Sequence, residues 1–226
     1  MSLPETRLAE RLGYRCNDPE ILRRALRHRS TGRRHNERLE FLGDAVLGLA
    51  IATELFRRDP DLNEGDLSRL RASLVNRVVL AEIAAGLALG DYLDLGPGEL
   101  KSGGFRRKSI LADTLEAVIG AIYVDGGYAA AHDLVCRLFA ERLANLPAAD
   151  SLKDPKTRLQ EHLQARGHGL PVYTVLHHSG PAHNPTFKVS AAIPALEITV
   201  TAAAGSRRAA EQRAAQQILE QLEHES

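Results

Sequence analysis

Between Asn36 and Leu47 the chain reads Asn-Glu-Arg-Leu-Glu-Phe-Leu-Gly-Asp-Ala-Val-Leu. On a helix, Glu37, Glu40 and Asp44 stand at i, i+3 and i+7 and share one face. Leu39, Phe41, Leu42, Val46 and Leu47 cover most of the remaining circumference, and a helix that is apolar on most sides is normally buried. Three acids stacked on such a helix repel one another, and each is costly to desolvate alone. The stretch therefore calls for a helical fold in which something positive meets that face. A hard divalent cation such as Mg²⁺ does so naturally, since it prefers oxygen ligands and keeps some of its waters.

A second, distant stretch repeats the theme. Asp113 and Glu116 lie at i, i+3 among Ile110, Leu111, Leu115, Val118 and Ile119. Two such helices packed face to face gather four or five carboxylates, a ligand set for one or two magnesium ions and, with a phosphodiester present, for metal-assisted hydrolysis. An ordinary alternative exists. Glu37 and Glu40 also suit the first turn of a helix, and Arg38 or Arg71 could pair with them at the surface. Spacing alone thus gives a magnesium site and no substrate. Other metal and nucleophile chemistries lack their marks. No Glu is followed three residues later by His, as a di-iron bundle requires. There is no His-Glu-x-x-His motif, no Gly-rich lysine loop of phosphate-binding spacing and no serine nucleophile elbow.

Composition narrows the setting. The 226 residues are 44% hydrophobic and 26% charged, the balance of a folded soluble protein. No apolar run approaches the ~20 residues of a membrane span, so no membrane is expected. The first twelve residues carry Glu and Arg and do not resemble a signal peptide. Cys16 and Cys136 are isolated, which points to a reducing, cytoplasmic location. Lys+Arg and Asp+Glu both number 29 and aromatics make up 4%, which disfavours a simple nucleic-acid coat or a base-stacking single-strand binder.

The pattern divides the chain into an all-helical unit over 1–146, a linker over 147–153 and an α+β unit over 154–226. Helices are expected at 4–12, 19–27, 36–58, 64–76, 78–88, 109–124 and 128–143. Turn signals at Gly96-Pro97-Gly98, Ser102-Gly103-Gly104 and Gly126-Gly127 separate the later ones. The second unit reads as a helix at 156–166, antiparallel strands at 171–177, 186–192 and 195–202, then a helix at 206–222 capped by Ser206. In the second strand Phe187, Val189 and Ala191 share a face, and Ile193-Pro194 makes a tight turn to the third.

His35-Asn36-Glu37-Arg38-Leu39-Glu40-Phe41-Leu42-Gly43-Asp44 resembles the signature of the ribonuclease III family. Leu12-Gly13-Tyr14, Ala25 to Ser30, Glu64 to Ser68, Lys101 to Gly104, Ile110 to Ala117 and Asp125-Gly126-Gly127 are similar to its other blocks, in the same order. Carried over, the resemblance makes Glu40, Asp44, Asp113 and Glu116 metal ligands, with Asp44 and Glu116 catalytic, and places Glu37 and Glu64 along the cleavage groove. Position 45 is Ala where many relatives have Ser.

The α-β-β-β-α unit resembles the double-stranded-RNA-binding domain, through Lys156-Thr157-Arg158-Leu159-Gln160-Glu161, Gly180 to His183 and Gly205 to Glu211. Physics agrees: Arg207 and Arg208 stand at a helix start where N–H groups and cations both meet phosphate. Gln160 and His183 can reach 2′-hydroxyls in the shallow minor groove. Thr157, Glu161 and Ser206 complete the RNA-binding set that the resemblance implies. From Asp154 onward there are seven basic and seven acidic residues, so this unit is not basic overall.

The expected activity is Mg²⁺-dependent endonucleolytic cleavage of double-stranded RNA, with Mn²⁺ able to substitute. The family implies 5′-phosphate and 3′-hydroxyl ends, short 3′ overhangs, roles in rRNA and mRNA processing, and a homodimer, since staggered cuts need two sites related by two-fold symmetry. Two rivals remain at this level. A non-catalytic duplex-RNA-binding protein would have lost an acid, and none is lost. A helical nucleotide pyrophosphatase would have no use for the second unit.

Overall fold

The computed structural model describes residues 3–32, 34–181 and 185–224. The chain divides into two compact units, Met1–Ala149 and Asp150–Ser226. The first holds helices α1 (Leu3–Leu12), α2 (Pro19–Ala25), α3 (Glu37–Arg58), α4 (Glu64–Leu74), α5 (Arg77–Gly86), α6 (Pro97–Lys101) and α7 (Lys108–Ala144). Short polar side chains set several starts. Asp18 accepts from the Glu20 N–H, with Pro19 at the first turn; Asn63 accepts from Asp66, and Asn76 from Val78 and Val79.

The centre of this unit is the pairing of α3 with α7, against which α2 and α5 also pack. Leu47, Ile51 and Leu55 of α3 and Leu115, Ile119 and Ile122 of α7 are fully buried. The two backbones touch at a pair of glycines. A Cβ built on Gly43 would lie 1.8 Å from the Glu116 carbonyl oxygen, and one on Gly120 would lie 2.1 Å from that of Leu39. No side chain fits at either point, so the helices cross at backbone contact. The acids on both then face one another.

Two sequence expectations change here, and a third holds. The helices expected on either side of Gly126-Gly127 are separated there: Gly127 leaves helical geometry (φ 76°, ψ −176°), so the span labelled α7 is two helical segments meeting at a kink. The bend is anchored by Asp125, whose carboxylate accepts from Tyr14 Oη (2.7 Å) and from the Asn17 and Asp18 N–H groups (2.8 and 2.9 Å). These contacts hold the Asp125 carboxyl below its ordinary value, against the opposing effect of its desolvation. The Gly96-to-Gly98 turn begins helix α6 with Pro97 in its first turn, and five residues are too few to show a helical period. The 147–153 segment, expected without structure, winds into a 3₁₀ turn at Ala149–Leu152.

The second unit comprises α8 (Pro155–Ala165), β1 (Val172–Ser179), β2 (Thr186–Ile193), β3 (Ile198–Ala204) and α9 (Arg207–His224). The strands pair antiparallel in the order β1-β2-β3. A bulge between Val175 and His177 shifts the β1 register. Ala191 and Ile193 of β2 join a core with Leu159, Leu163, Ala214, Ala215, Ile218 and Leu219, and Val189 is fully buried on the same strand, as the alternation predicts for Val189 and Ala191; Phe187 is half-buried and stacks on His178. The third strand starts later than expected. Pro194–Leu196 form a 3₁₀ turn and Glu197 adopts φ 55°, so extended backbone resumes only at Ile198. Ser206 caps α9, accepting from the Ala209 N–H at 3.2 Å.

Candidate metal centre and nucleic-acid interface

Because α3 and α7 cross at Gly43 and Gly120, residues one turn away on each helix share a hollow. It measures about 690 Å³ and is lined by Glu37, Glu40, Asp44, Asp113 and Glu116, with His28, Arg29, Glu99 and Arg107 among the other residues. Ligand oxygens of Glu40, Asp113 and Glu116 all lie within 4.8 Å of one another. Asp44 is on the same hollow but more exposed, and Glu37 sits at the rim, where Arg29 pairs with it at 3.4 Å. Glu99 is tied to Arg107 at 2.5 Å.

Electrostatics single out Glu116. Burial first, then the carboxylates of Asp44, Glu40 and Asp113, push its carboxyl up to about 7. Glu40 is raised by burial and by Asp113 and Glu37. Asp113 is raised by burial, although Arg77, His28 and Arg29 pull the other way. A cluster whose members resist carrying their charges together is one that a cation would stabilise. Oxygen-only donors at this spacing suit a hard divalent ion.

Glu64, expected along the cleavage groove rather than among the metal ligands, lies outside this hollow within one chain. It opens α4 and lines a separate groove with Thr53, Phe56, Leu67 and Arg71, accepting from Ser68 Oγ at 2.8 Å. The matching acid block could be recognised in sequence, but which helix face it would join depended on the turn between α3 and α4. Conversely, His28 reaches the hollow although no spacing marks it. Its Nδ1 lies 2.8 Å from Ser30 Oγ and 3.2 Å from the Ser30 backbone nitrogen. Burial lowers its pKa. The only sequence signal was its place in the Ala25-to-Ser30 block.

In the second unit, α8 and the start of α9 border a hollow of about 560 Å³. It is lined by Lys156, Thr157, Gln160, Tyr173, Arg208 and Glu211, among others. Thr157, Gln160, Glu161, Ser206, Arg207 and Arg208 are all exposed. His183 lies outside the described residues. Glu211 is an organiser that residue patterns did not reveal. It is 7% exposed and accepts from Lys156 Nζ at 2.6 Å and Arg207 Nε at 2.8 Å. Asp154 faces Arg208 at 3.6 Å, and Glu161 is taken by Lys153 at 2.7 Å. Lys156, Arg207 and Arg208 thus each have an acid neighbour, with Arg207 and Arg208 left largely exposed.

Comparison with known proteins agrees with this division. Residues 18–143 match the Ribonuclease-III-like family model and residues 155–222 the double-stranded RNA binding motif. Ribonuclease 3 of Alkalilimnicola ehrlichii is 56% identical over 99% of this chain and 98% of its own length. That of Vibrio cholerae is 53% identical over 98% and 99%. A solved nuclease domain of ribonuclease III from Campylobacter jejuni, described for flexibility in its dimer-forming region, covers 62% of this chain and 98% of its own. It is 43% identical, with a TM-score of 0.60. With a paired-helix carboxylate centre in one unit and a duplex-binding motif in the other, the chain belongs to the ribonuclease III family of endoribonucleases.

Proposed function

We propose that this protein hydrolyses phosphodiesters in double-stranded RNA with Mg²⁺ as its resident cation, Mn²⁺ being able to replace it. The observation that carries the reading is the convergence of Glu40, Asp113 and Glu116 within 4.8 Å, with Asp44 beside them. These four residues would hold the metal, and Glu37 lines the approach. When bound, the ion lowers the pKa of water and stabilises charge developing at phosphorus and at the departing 3′-oxygen. The carboxylates would hold the ion and orient water for attack on phosphorus. The products are 5′-phosphate and 3′-hydroxyl ends, and the setting is processing of precursor rRNA and some mRNA in the cytoplasm.

The two units divide the work, with the nuclease at 1–146 and the duplex anchor at 154–226, joined by 147–153. Thr157, Gln160, Glu161, Ser206, Arg207 and Arg208 meet backbone and 2′-hydroxyls, a shape-based reading that needs no base stacking. A homodimer supplies two sites for a staggered cut. Supporting it, α3 presents Phe41, Leu49 and Phe56 to solvent at 80%, 56% and 73% exposure, an apolar stripe on the outer side of the helix that carries Glu40 and Asp44. No described helix is long and apolar enough to cross a membrane.

The test is gel analysis of end-labelled duplex and single-stranded RNA with and without Mg²⁺. Duplex alone should be cut, and only with the metal. Glu116→Ala or Asp44→Ala should reduce cleavage at least about 100-fold, roughly 3 kcal/mol of lost transition-state stabilisation, while duplex binding persists. Near-normal turnover in either variant at saturating Mg²⁺ would refute the assignment.

A further inference from the structure

A second group of ligand-bearing side chains lies away from the carboxylate hollow. Glu54 is ten residues past Asp44 on α3, about 15 Å along the helix axis. His132 and Cys136 stand at i, i+4 on the part of α7 beyond the Gly127 bend, so both face the same way. His132 Nε2 is 3.2 Å from Glu54 Oε1, and Cys136 Sγ is 3.6 and 3.7 Å from the two ring nitrogens. One donor atom from each residue falls within 4.8 Å of the others, and all three residues are half-buried.

These separations can be compared with a real coordination sphere. Zinc bonds of about 2.3 Å to sulfur and about 2.05 Å to nitrogen or oxygen, at tetrahedral angles, put N and S roughly 3.5 Å apart and N and O roughly 3.3 Å apart. The Nε2 distances of 3.7 and 3.2 Å fall near those two edges, but Sγ lies equally close to Nδ1, so the His132 or Cys136 side chain has to turn for the sulfur and Nε2 to share an ion. The remaining pair, Glu54 oxygen to Cys136 sulfur, lies within 4.8 Å and needs to close by at most about 1.3 Å to reach a roughly 3.5 Å edge. The donor set differs in kind from the oxygen-only cluster. A thiolate and an imidazole select a softer ion than Mg²⁺. Asp133 adds a further carboxylate 4.0 Å from His132 Nδ1, and Arg57 steadies Glu54 at 3.7 Å. Tyr128 packs beside the imidazole, with ring centroids 5.6 Å apart.

We propose that Glu54, His132 and Cys136 form a zinc-class metal site with water in the fourth position, clasping the end of α3 to the distal half of α7. An ion there ties the two central helices on the far side of the bend and stands apart from the cleavage chemistry.

Cobalt(II) is the probe, because a cobalt–thiolate bond gives a charge-transfer band in the near ultraviolet that carboxylate-bound cobalt lacks. Titrating the full chain with Co²⁺ should produce this band, saturating at one ion per chain and bleaching on addition of Zn²⁺, the tighter binder. Cys136→Ser should abolish it. His132→Ala and Glu54→Gln should each weaken binding at least about tenfold. Cys16→Ser should leave it unchanged, since Cys16 is buried elsewhere. In the unaltered protein, Zn²⁺ should protect Cys136 from alkylation, mapped by peptide mass spectrometry, whether or not the variants fold. No charge-transfer band and no protection, or a band that survives Cys136→Ser and vanishes in Cys16→Ser, would overturn the site.

Discussion

Glu116 is held among Asp44, Glu40 and Asp113 in a half-buried position on α7, and its carboxyl is pushed up to about 7, by burial first and by those neighbours second. Without metal, the folded protein then keeps a proton on Glu116 that the unfolded chain releases near pH 4.5, the ordinary value for glutamate. Between these two values the folded state binds more protons than the unfolded one, so stability falls as pH rises from about 4.5 to about 7. In metal-free protein, melting temperature should drop across that window by roughly 5 °C more in the native sequence than in Glu116→Gln. Mg²⁺ should erase the difference by stabilising the charged form. Parallel melting curves for the two proteins from pH 5 to pH 7.5 in EDTA would show it, and identical pH profiles would mean that the acids do not interact as described.

At the level of helices, the site depends on how closely α3 and α7 approach. Gly43 and Gly120 let each backbone rest against the other's carbonyl, and this contact sets the span between Glu40 and Asp44 on one helix and Asp113 and Glu116 on the other. Gly43→Ala should force the helices apart. Overpacking of this kind costs about 1–3 kcal/mol, partly offset by the better helix propensity of alanine. The expected outcome is a chain that still folds, melts several degrees lower and binds metal at the carboxylate centre more weakly, with cleavage falling more steeply than stability. Calorimetry alongside the cleavage assay distinguishes this from simple unfolding. Gly86, on α5, has no neighbour among the described residues within reach of an added Cβ, so Gly86→Ala serves as the control and should leave cleavage and metal binding unchanged.

Across the whole molecule, the two units contribute different physics to one reaction. The nuclease unit gathers its carboxylates in one hollow, which on the proposed reading a cation neutralises before a phosphodiester approaches. The second unit carries no net excess of basic residues from Asp154 onward, and its exposed Arg207 and Arg208 each lie beside an acid, Glu211 and Asp154 respectively. Duplex binding should therefore be salt-sensitive and carried by few cations. Replacing both arginines, Arg207→Glu with Arg208→Glu, should raise KM much more than it lowers kcat at physiological salt. The slope of log affinity against log salt should shrink by roughly one for each phosphate that is no longer neutralised. Normal cleavage by the double variant at that salt would mean that the anchor lies elsewhere on the chain.

Much of this was written in the one-dimensional pattern, because the relevant forces are local. The i, i+3, i+7 acids on an apolar helix, the Asp113–Glu116 pair, and the alternation of Phe187, Val189 and Ala191 follow from side-chain period alone. What the sequence could not decide depends on contacts between distant segments. Glu64 belongs to a readable acid block, yet only the packing of α4 on α3 places it outside the carboxylate hollow. Gly126-Gly127 reads as a break and is one, yet only tertiary contacts anchor the kink: Asp125 gathers the donors of Tyr14, Asn17 and Asp18 from more than a hundred residues away. His28 enters the hollow, and Glu211 organises two cations, through partners that no local window contains. Glu54, His132 and Cys136 are unremarkable as letters, and they become a ligand set only where two helices meet. Periodicity fixes which face of an element is apolar or charged; which faces then come together is settled by tertiary packing, down to two glycines that let the helices touch.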